Sequence, residues 1–360
     1  MQGRGVRVHG GQAPSDALDF SAPRNPLGIP TFIQELLSSV LSADLFTRYP
    51  DPNYRRFREV IAEFYGIEPG YVVPLNGSAE AIQLLLPIVK PRALLVFEPT
   101  FGDHRIAAHA LGVAYVPIPL RVKGTFFTVD TELYSEIVKS IGEGFVALLS
   151  NPNNPTGALA GLSIVEELLE HTPRGSYLIV DEAFIELSPS GRSVLELCDD
   201  RLIVLRSFTK SLAVPGLRIG FLYSCNRSVV ELVDSLRQPW NLNSLAELVI
   251  KEVLGKLVDE YRKYLEKARR IIAEELEFLI PALRALGLLA FDSQAPFILL
   301  KHAIPHPEFG RRLALRKIYV RNASSFLYLD QHYSRISILG RDLDKMLLEV
   351  LAWCVEEDLR

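Results

Sequence analysis

Cysteine is scarce in this 360-residue chain: there are three, Cys198, Cys225 and Cys354, and no C-x-x-C pair. That argues against a disulfide framework and for thiols kept reduced. Long uninterrupted apolar stretches are missing too. Each apolar stretch meets a charge or a turn residue before it is long enough to cross a bilayer. The opening "MQGRGVRVHGGQAPSDALDF" has no apolar core of the signal-peptide kind. A cytoplasmic location without membrane contact is the expectation. No charge sign is in large excess. With 39 Lys and Arg against 43 Asp and Glu, the net charge of −4 gives nucleic acid or an acidic membrane nothing to grip. Internal repeats and low-complexity tracts are absent as well.

What is present is an ordinary globular balance, 48% apolar and 23% charged, enough for a sizeable core and about two domains. The apolar runs "ALLVFEP", "FVALLSN", "YLIVDEA", "LIVLRSF" and "RIGFLYS" predict strands, and segments such as "SIVEELLEHT" predict helices between them. Strands apolar on both faces that alternate with helices predict an α/β fold with a mainly parallel sheet. The stretch "LVDEYRKYLEKARRIIAEELEFLIPALRAL" reads as one long helix. An α+β region follows, with strands at "PFILLKH", "KIYVRNA" and "SRISIL" and a closing helix at "RDLDKMLLEVLAWCVEEDL". The expected organisation is an N-terminal arm at 1–40 joining the small domain, a large domain at 41–255 and a small domain at 256–360.

Polar signals gather where the first strands end: "SNPNNPTG" after one, "DEAF" after another, "SFTK" after a third. Ligands of open α/β sheets bind outside the carboxyl ends of the strands, so these ends point to one site. Lys210 stands among Ser207 and Thr209, with Arg218 eight residues on. A lysine becomes a nucleophile when burial or a nearby cation lowers its pKa. Hydroxyls and an arginine beside it suit a phosphate, so the pattern points to a phosphorylated aldehyde held as an imine. A lone lysine after a strand is otherwise a solvated group. Asp181 ends an apolar strand, where an unpaired acid is costly. A protonated pyridine nitrogen would justify it; a helix cap or a metal-binding acid would do so equally. "NGSAEAI" puts Gly77 and Ser78 at a turn that opens a helix, which suits a phosphate or a plain N-cap. Asn154, in an amide-rich turn, is a donor for a phenolate oxygen or a turn residue.

Taken in order, "YPDPNY", "NGSAEAI", "SNPNNPTG", "VDEAF" and "SFTKSLAVPGLRIG" resemble the fold-type I pyridoxal-phosphate enzymes of aminotransferase class I/II, over about residues 9 to 340. The resemblance implies the PLP-dependent transferase-like fold, with a large parallel-sheet domain and a smaller α+β domain. It implies pyridoxal 5'-phosphate as cofactor. Lys210 would hold it and later move protons at Cα, Asp181 would pair with the pyridine nitrogen, and Asn154 would bond the ring oxygen. Gly77, Ser78, Ser207, Thr209 and Arg218 would hold the phosphate. Tyr49 would reach the phosphate of a neighbouring subunit, which implies a homodimer. Phe101 would stack on the ring, with His104 bonded to Asp181. Arg335 would clamp the substrate carboxylate with two parallel hydrogen bonds. Phe184 stands where many relatives have a tyrosine and removes one hydrogen bond to the ring oxygen.

Two subfamilies are similar in particular: L-threonine-O-3-phosphate decarboxylases and histidinol-phosphate aminotransferases. "VHGG", "LDFSAPRNPLGIP", "DEAF" and "AVPGLR" resemble the decarboxylases, whereas "YPDPNY" and "NPNNPTG" suit both. Either substrate is small and phosphorylated, so a second anion site is expected. Arg321 leads, followed by His9 and Arg24, with Asn25 and Gly28 also expected to bind substrate. Rival signals are weak. "SFTK" satisfies S-x-x-K, but the downstream motifs of that hydrolase class are absent. "HAIPH" spaces two histidines four apart with a proline between them and no acidic ligand beside them, so no metal site is expected.

Overall fold

The computed structural model of the chain describes residues 9–40 and 43–356. Its larger sheet has seven strands: β1 (Val72–Leu75), β2 (Ala93–Glu98), β3 (Ala114–Pro119), β4 (Val146–Ser150), β5 (Tyr177–Asp181), β6 (Leu202–Ser207) and β7 (Gly220–Tyr223). They lie in the order β1-β7-β6-β5-β4-β2-β3. β7 runs antiparallel to both of its neighbours, and every other pair is parallel. The five strands expected from sequence are β2, β4, β5, β6 and β7. The two edge strands, β1 and β3, escape the pattern because "VVPL" and "AYVPIP" are interrupted by proline. Proline donates no ladder hydrogen bond, so edges tolerate it where central strands do not.

The inner strands alternate between two buried faces. Leu95, Leu178 and Val204 point into the same core as Phe57, Tyr134 and Leu168. Leu94, Ile179 and Ile203 point into the other, with Ile82, Leu85 and Val229. Period-two alternation with both faces covered is what the near-continuous apolar runs encode.

A second sheet contains β8 (Leu289–Ala290), β9 (Phe297–Lys301), β10 (Arg321–Asn322) and β11 (Tyr333–Ser337), in the antiparallel order β8-β9-β11-β10. The single strand expected over "KIYVRNA" is divided. Ile318–Tyr319 pairs in parallel with Leu18–Asp19 of the arm, and Arg321–Asn322 joins the sheet. The arm is tied down again where Ser337 N–H donates to Phe20 O at 2.8 Å. It also carries a helix, Thr31–Val40. The long helix runs over Val258–Ala285 and the closing helix over Arg341–Glu356; residues 357–359 of the expected closing helix, like residues 1–8 of the arm, lie outside the described residues. Among the described residues no helix is long and apolar enough to cross a membrane.

One expectation is corrected. Cys198 and Cys225 form a disulfide with their Cα atoms 5.6 Å apart, and Cys354 is buried elsewhere in the core. Cys198 precedes β6 and Cys225 follows β7. Antiparallel pairing of those strands brings the two cysteines to one end of the sheet, a proximity hidden by 27 residues of separation. The bond closes a loop that contains Lys210 and Arg218. In the chain-entropy account a cross-link of this span stabilises the fold by about 3.5 kcal/mol. Cys198→Ser should lower the unfolding free energy by about that amount in urea titrations. Reductant should destabilise the parent to the same level and leave the variant unchanged.

Candidate active site

Register within the parallel strands assembles the site. Asp181, the last residue of β5, lies opposite Ser150 at the end of β4 and opposite Leu205 in β6. Asn154 comes four residues after Ser150, and Lys210 five after Leu205, in the one-turn helix Phe208–Ser211. All three therefore emerge at the carboxyl edge of neighbouring strands. A chain of contacts links Lys210 and Asn154 to the small sheet. Lys210 Nζ is 5.7 Å from the centre of the Phe184 ring, and Phe184 meets Phe297 edge-on at 5.1 Å. Arg335 Cζ is 5.3 Å from the Phe297 ring centre, and Arg335 Nη1 donates to Asn154 Oδ1.

The charges of this site are partly withdrawn from water: Arg321 and Arg335 are buried, Lys210 and Asp181 half-buried, and Arg218 exposed. Burial, together with the charges of Arg335 and Arg218, lowers the Lys210 pKa to about 8. Burial raises Asp181 to about 6, helped by the Glu182 charge and opposed by the Ala183 N–H, which donates to Asp181 Oδ1 at 3.0 Å. Among the described residues, the groups that shift Asp181 include no cation. A cation brought to that carboxylate gains a partner already desolvated, which is what a protonated pyridine nitrogen requires.

The phosphate-binding expectation meets a matching cradle. Ser207 Oγ and Thr209 Oγ1 are 2.7 Å apart. Gly77 has φ +77°, and a Cβ on it would collide with Arg218 Nη2. Gly77 N–H already donates to Leu75 O at 2.8 Å, so what this glycine contributes is room. Ser78 does not cap the helix Glu80–Val89, which removes the plain N-cap alternative. Gly220 is needed for the same approach, because a Cβ there would lie 2.7 Å from Ser78 N and from Arg206 O. Arg218 itself adopts left-handed backbone, φ 55°, uncommon outside glycine and typical of functional turns.

Two arginines face each other on the small sheet. Arg321 in β10 and Arg335 in β11 are direct cross-strand partners, an arrangement that is destabilising for like charges. Both are buried. Arg335 Nη2 donates to Ser21 O at 2.6 Å, and its Nε is buried without a hydrogen-bond partner. Burial and the Arg321 charge lower the Arg335 pKa to about 9, with Asp19 opposing. Arg321 Nη2 donates to Ser325 Oγ at 2.6 Å, and burial lowers its pKa as well.

Other expected residues fall differently. The His104–Asp181 hydrogen bond is not formed. The helix Asp103–Ala110 turns the His104 ring edge-on to Phe101 at 5.6 Å, its Nε2 is buried without a partner, and burial lowers its pKa to about 4. Phe101 is half-buried and is also stacked by His9 at 5.5 Å; His9 Nε2 lies 3.4 Å from Asp103 Oδ1. Asn25, expected to bind substrate, is engaged by the protein itself. It is buried, its Nδ2 donates to Ser211 O at 2.9 Å and its Oδ1 accepts from Leu27 N–H at 3.0 Å. Gly28 offers its carbonyl to Tyr264 OH at 2.6 Å, and Arg24 is exposed. Tyr49 is 79% exposed and stacks on Trp240 at 4.3 Å. Sequence reading missed Ser21 and Phe297. Ser21 acts through its carbonyl, which every residue has, and Phe297 looks like any core strand residue. Among the described residues no cluster of His, Cys, Asp or Glu suits a metal ion.

The family model for aminotransferase class I and II matches residues 15–351. A protein of Caldanaerobacter subterraneus provisionally assigned as a threonine-phosphate decarboxylase is 32% identical over 344 residues, 92% of this chain and 89% of its own. Histidinol-phosphate aminotransferase of Thermococcus kodakarensis is 30% identical over 331 residues, 91% of this chain and 90% of its own. Among solved structures, the histidinol-phosphate aminotransferase from Clostridium acetobutylicum superimposes with a TM-score of 0.84 at 27% identity, covering 94% of this chain and 99% of that one. Identities so close together support the fold without separating the two reactions.

The geometry makes a statement about the coenzyme-free protein. Labelling of Lys210 by a small amine-directed reagent, read by peptide mass spectrometry, should follow one ionisation with a midpoint near pH 8. Because both arginines depress this pKa, Arg335→Met and Arg218→Met should each move the midpoint upward, Arg335→Met the more.

Proposed function

Because the chain belongs to the aminotransferase class I and II family, we propose that this pyridoxal-phosphate-dependent enzyme acts on a small phosphorylated amino acid and removes its carboxylate. The substrate we infer is threonine phosphate, giving 1-aminopropan-2-ol phosphate for cobalamin synthesis. The observation that carries this reading is the buried pair Arg321 and Arg335. Two desolvated guanidiniums on adjacent strands repel each other, and bound anions would relieve that repulsion. A substrate with both a carboxylate and a phosphate supplies one anion for each. Histidinol phosphate, which has no carboxylate, supplies only one.

The residues present fit the coenzyme. The cradle left open by Gly77 beside Arg218, with Ser78, Ser207 and Thr209, suits its phosphate. Asp181 suits its ring nitrogen. Asn154 Oδ1 is engaged by Arg335, so its Nδ2 is the end left to donate to the ring oxygen. Bound there, pyridoxal phosphate supplies an electron sink for charge that develops at the substrate Cα. The protein's part is placement. Asp181 holds the proton on the ring nitrogen, and Lys210, with a pKa near 8, can give up and take back a proton at working pH. Arg335 takes the carboxylate and Arg321 the phosphate, and together they set how Cα presents its bonds. Phe184 leaves the ring oxygen with one fewer donor than in many relatives. The exposed Tyr49 suits a homodimer in which it reaches the partner's phosphate site.

Transamination of histidinol phosphate with 2-oxoglutarate is the second reading. Its support is Lys210, a half-buried amine with a lowered pKa, able to remove the Cα proton. Incubation with each substrate separates the two. Threonine phosphate should release CO₂, and histidinol phosphate with 2-oxoglutarate should yield no glutamate; the reverse pattern overturns the decarboxylase reading. Lys210→Ala should lose the imine absorbance and activity with either substrate. Arg321→Ala should raise KM for threonine phosphate about 10- to 100-fold, the loss of a charged hydrogen bond.

A further inference from the structure

Ser211 directly follows Lys210, and two separate parts of the fold converge on it. It is buried. Its carbonyl accepts from Asn25 Nδ2 of the arm at 2.9 Å. Its hydroxyl is 3.0 Å from Tyr261 Oη, in the first turn of the long helix. The Tyr261 oxygen is also 3.0 Å from Glu186 Oε2. Glu186 pairs with Arg206 of β6 at 2.7 Å, and Arg206 pairs with Glu182, the residue after Asp181, at 2.8 Å. A buried network whose members are all partnered is rigid. The arm has a second duty four residues earlier, where Ser21 O accepts from Arg335 Nη2 at 2.6 Å. Residues 21–25 thus hold the substrate-facing arginine at one end and the Lys210 turn at the other.

We propose that Asn25 and Tyr261 are positioning residues that fix the Lys210 turn through Ser211, and that arm residues 21–25 act as a spacer between Lys210 and Arg335. Neither residue needs to touch substrate or coenzyme. The proposal rests on Lys210 being the coenzyme-holding residue. Its consequence is that the amine and the carboxylate clamp keep one separation. Errors of about 1 Å in such placement cost up to about a hundredfold in rate.

The test uses Tyr261→Phe, which removes one oxygen, and Asn25→Asp, which keeps the shape but loses the Nδ2 donor. Each should lower kcat about tenfold or more while KM stays within about threefold, because the arginine pair is intact. In the coenzyme-free variants the Lys210 labelling midpoint should move upward, since a loosened turn lets water reach the amine. Amides 209–213 should exchange hydrogen faster. If kcat and the labelling midpoint match the parent in both variants, the proposal is overturned, even if melting temperature falls. Borohydride should fix the coenzyme to the parent at Lys210 and not to Lys210→Ala. Coenzyme fixed to Lys210→Ala overturns the role of Lys210 and, with it, the proposal, a result distinct from an unchanged Tyr261→Phe.

Discussion

A half-buried lysine amine near two guanidinium groups, and a half-buried carboxylate that ends the neighbouring strand, are the constraint on which this structure turns. Such groups are stable in solvent and costly in a protein interior. Burial and the two arginines push Lys210 toward its neutral form, and burial pushes Asp181 toward its own. Each perturbation makes the group ready for a partner that the chain does not supply. A coenzyme with an aldehyde, a cationic ring nitrogen and a dianionic phosphate answers all of them together.

The molecule contains a second buried set of charges, and the contrast is instructive. Arg206 is matched by Glu182 and Glu186, with Tyr65, Tyr261 and Ser193 completing the hydrogen bonds. That set is closed on itself and serves as framework. Arg335 has a carbonyl and an amide oxygen for partners, keeps an unpartnered Nε and faces another arginine. A buried cation left short of anions is a candidate to hold a ligand. Ser211 joins the two sets, since it is adjacent to Lys210 in sequence and 3.0 Å from the Tyr261 oxygen that also meets Glu186.

Much of the site was legible because its members sit at strand ends with special chemistry. Lys210, Asp181 and Asn154 each close an apolar run, and parallel register brings such ends together. Gly77 was legible as a turn, although its use is to make room for Arg218 and its own N–H is engaged elsewhere. Other parts were not legible. The direction of the His104 ring depends on where its helix starts. The use of Asn25 depends on which carbonyl lies across the arm, 186 residues away in sequence. The Cys198–Cys225 bond depends on the antiparallel return of β7.

The amino-acid sequence by itself determined the fold class, the long helices, the five inner strands and the polar residues at the strand ends. It could do so because periodicity and strand-end chemistry are local properties. Only the tertiary structure decided that Arg321 lies directly opposite Arg335, that Ser21 and Asn25 grip opposite ends of the site, and that two distant cysteines meet. Those facts arise from strand pairing and from carbonyls brought close in space, and main-chain groups carry no mark in the sequence of what they will touch.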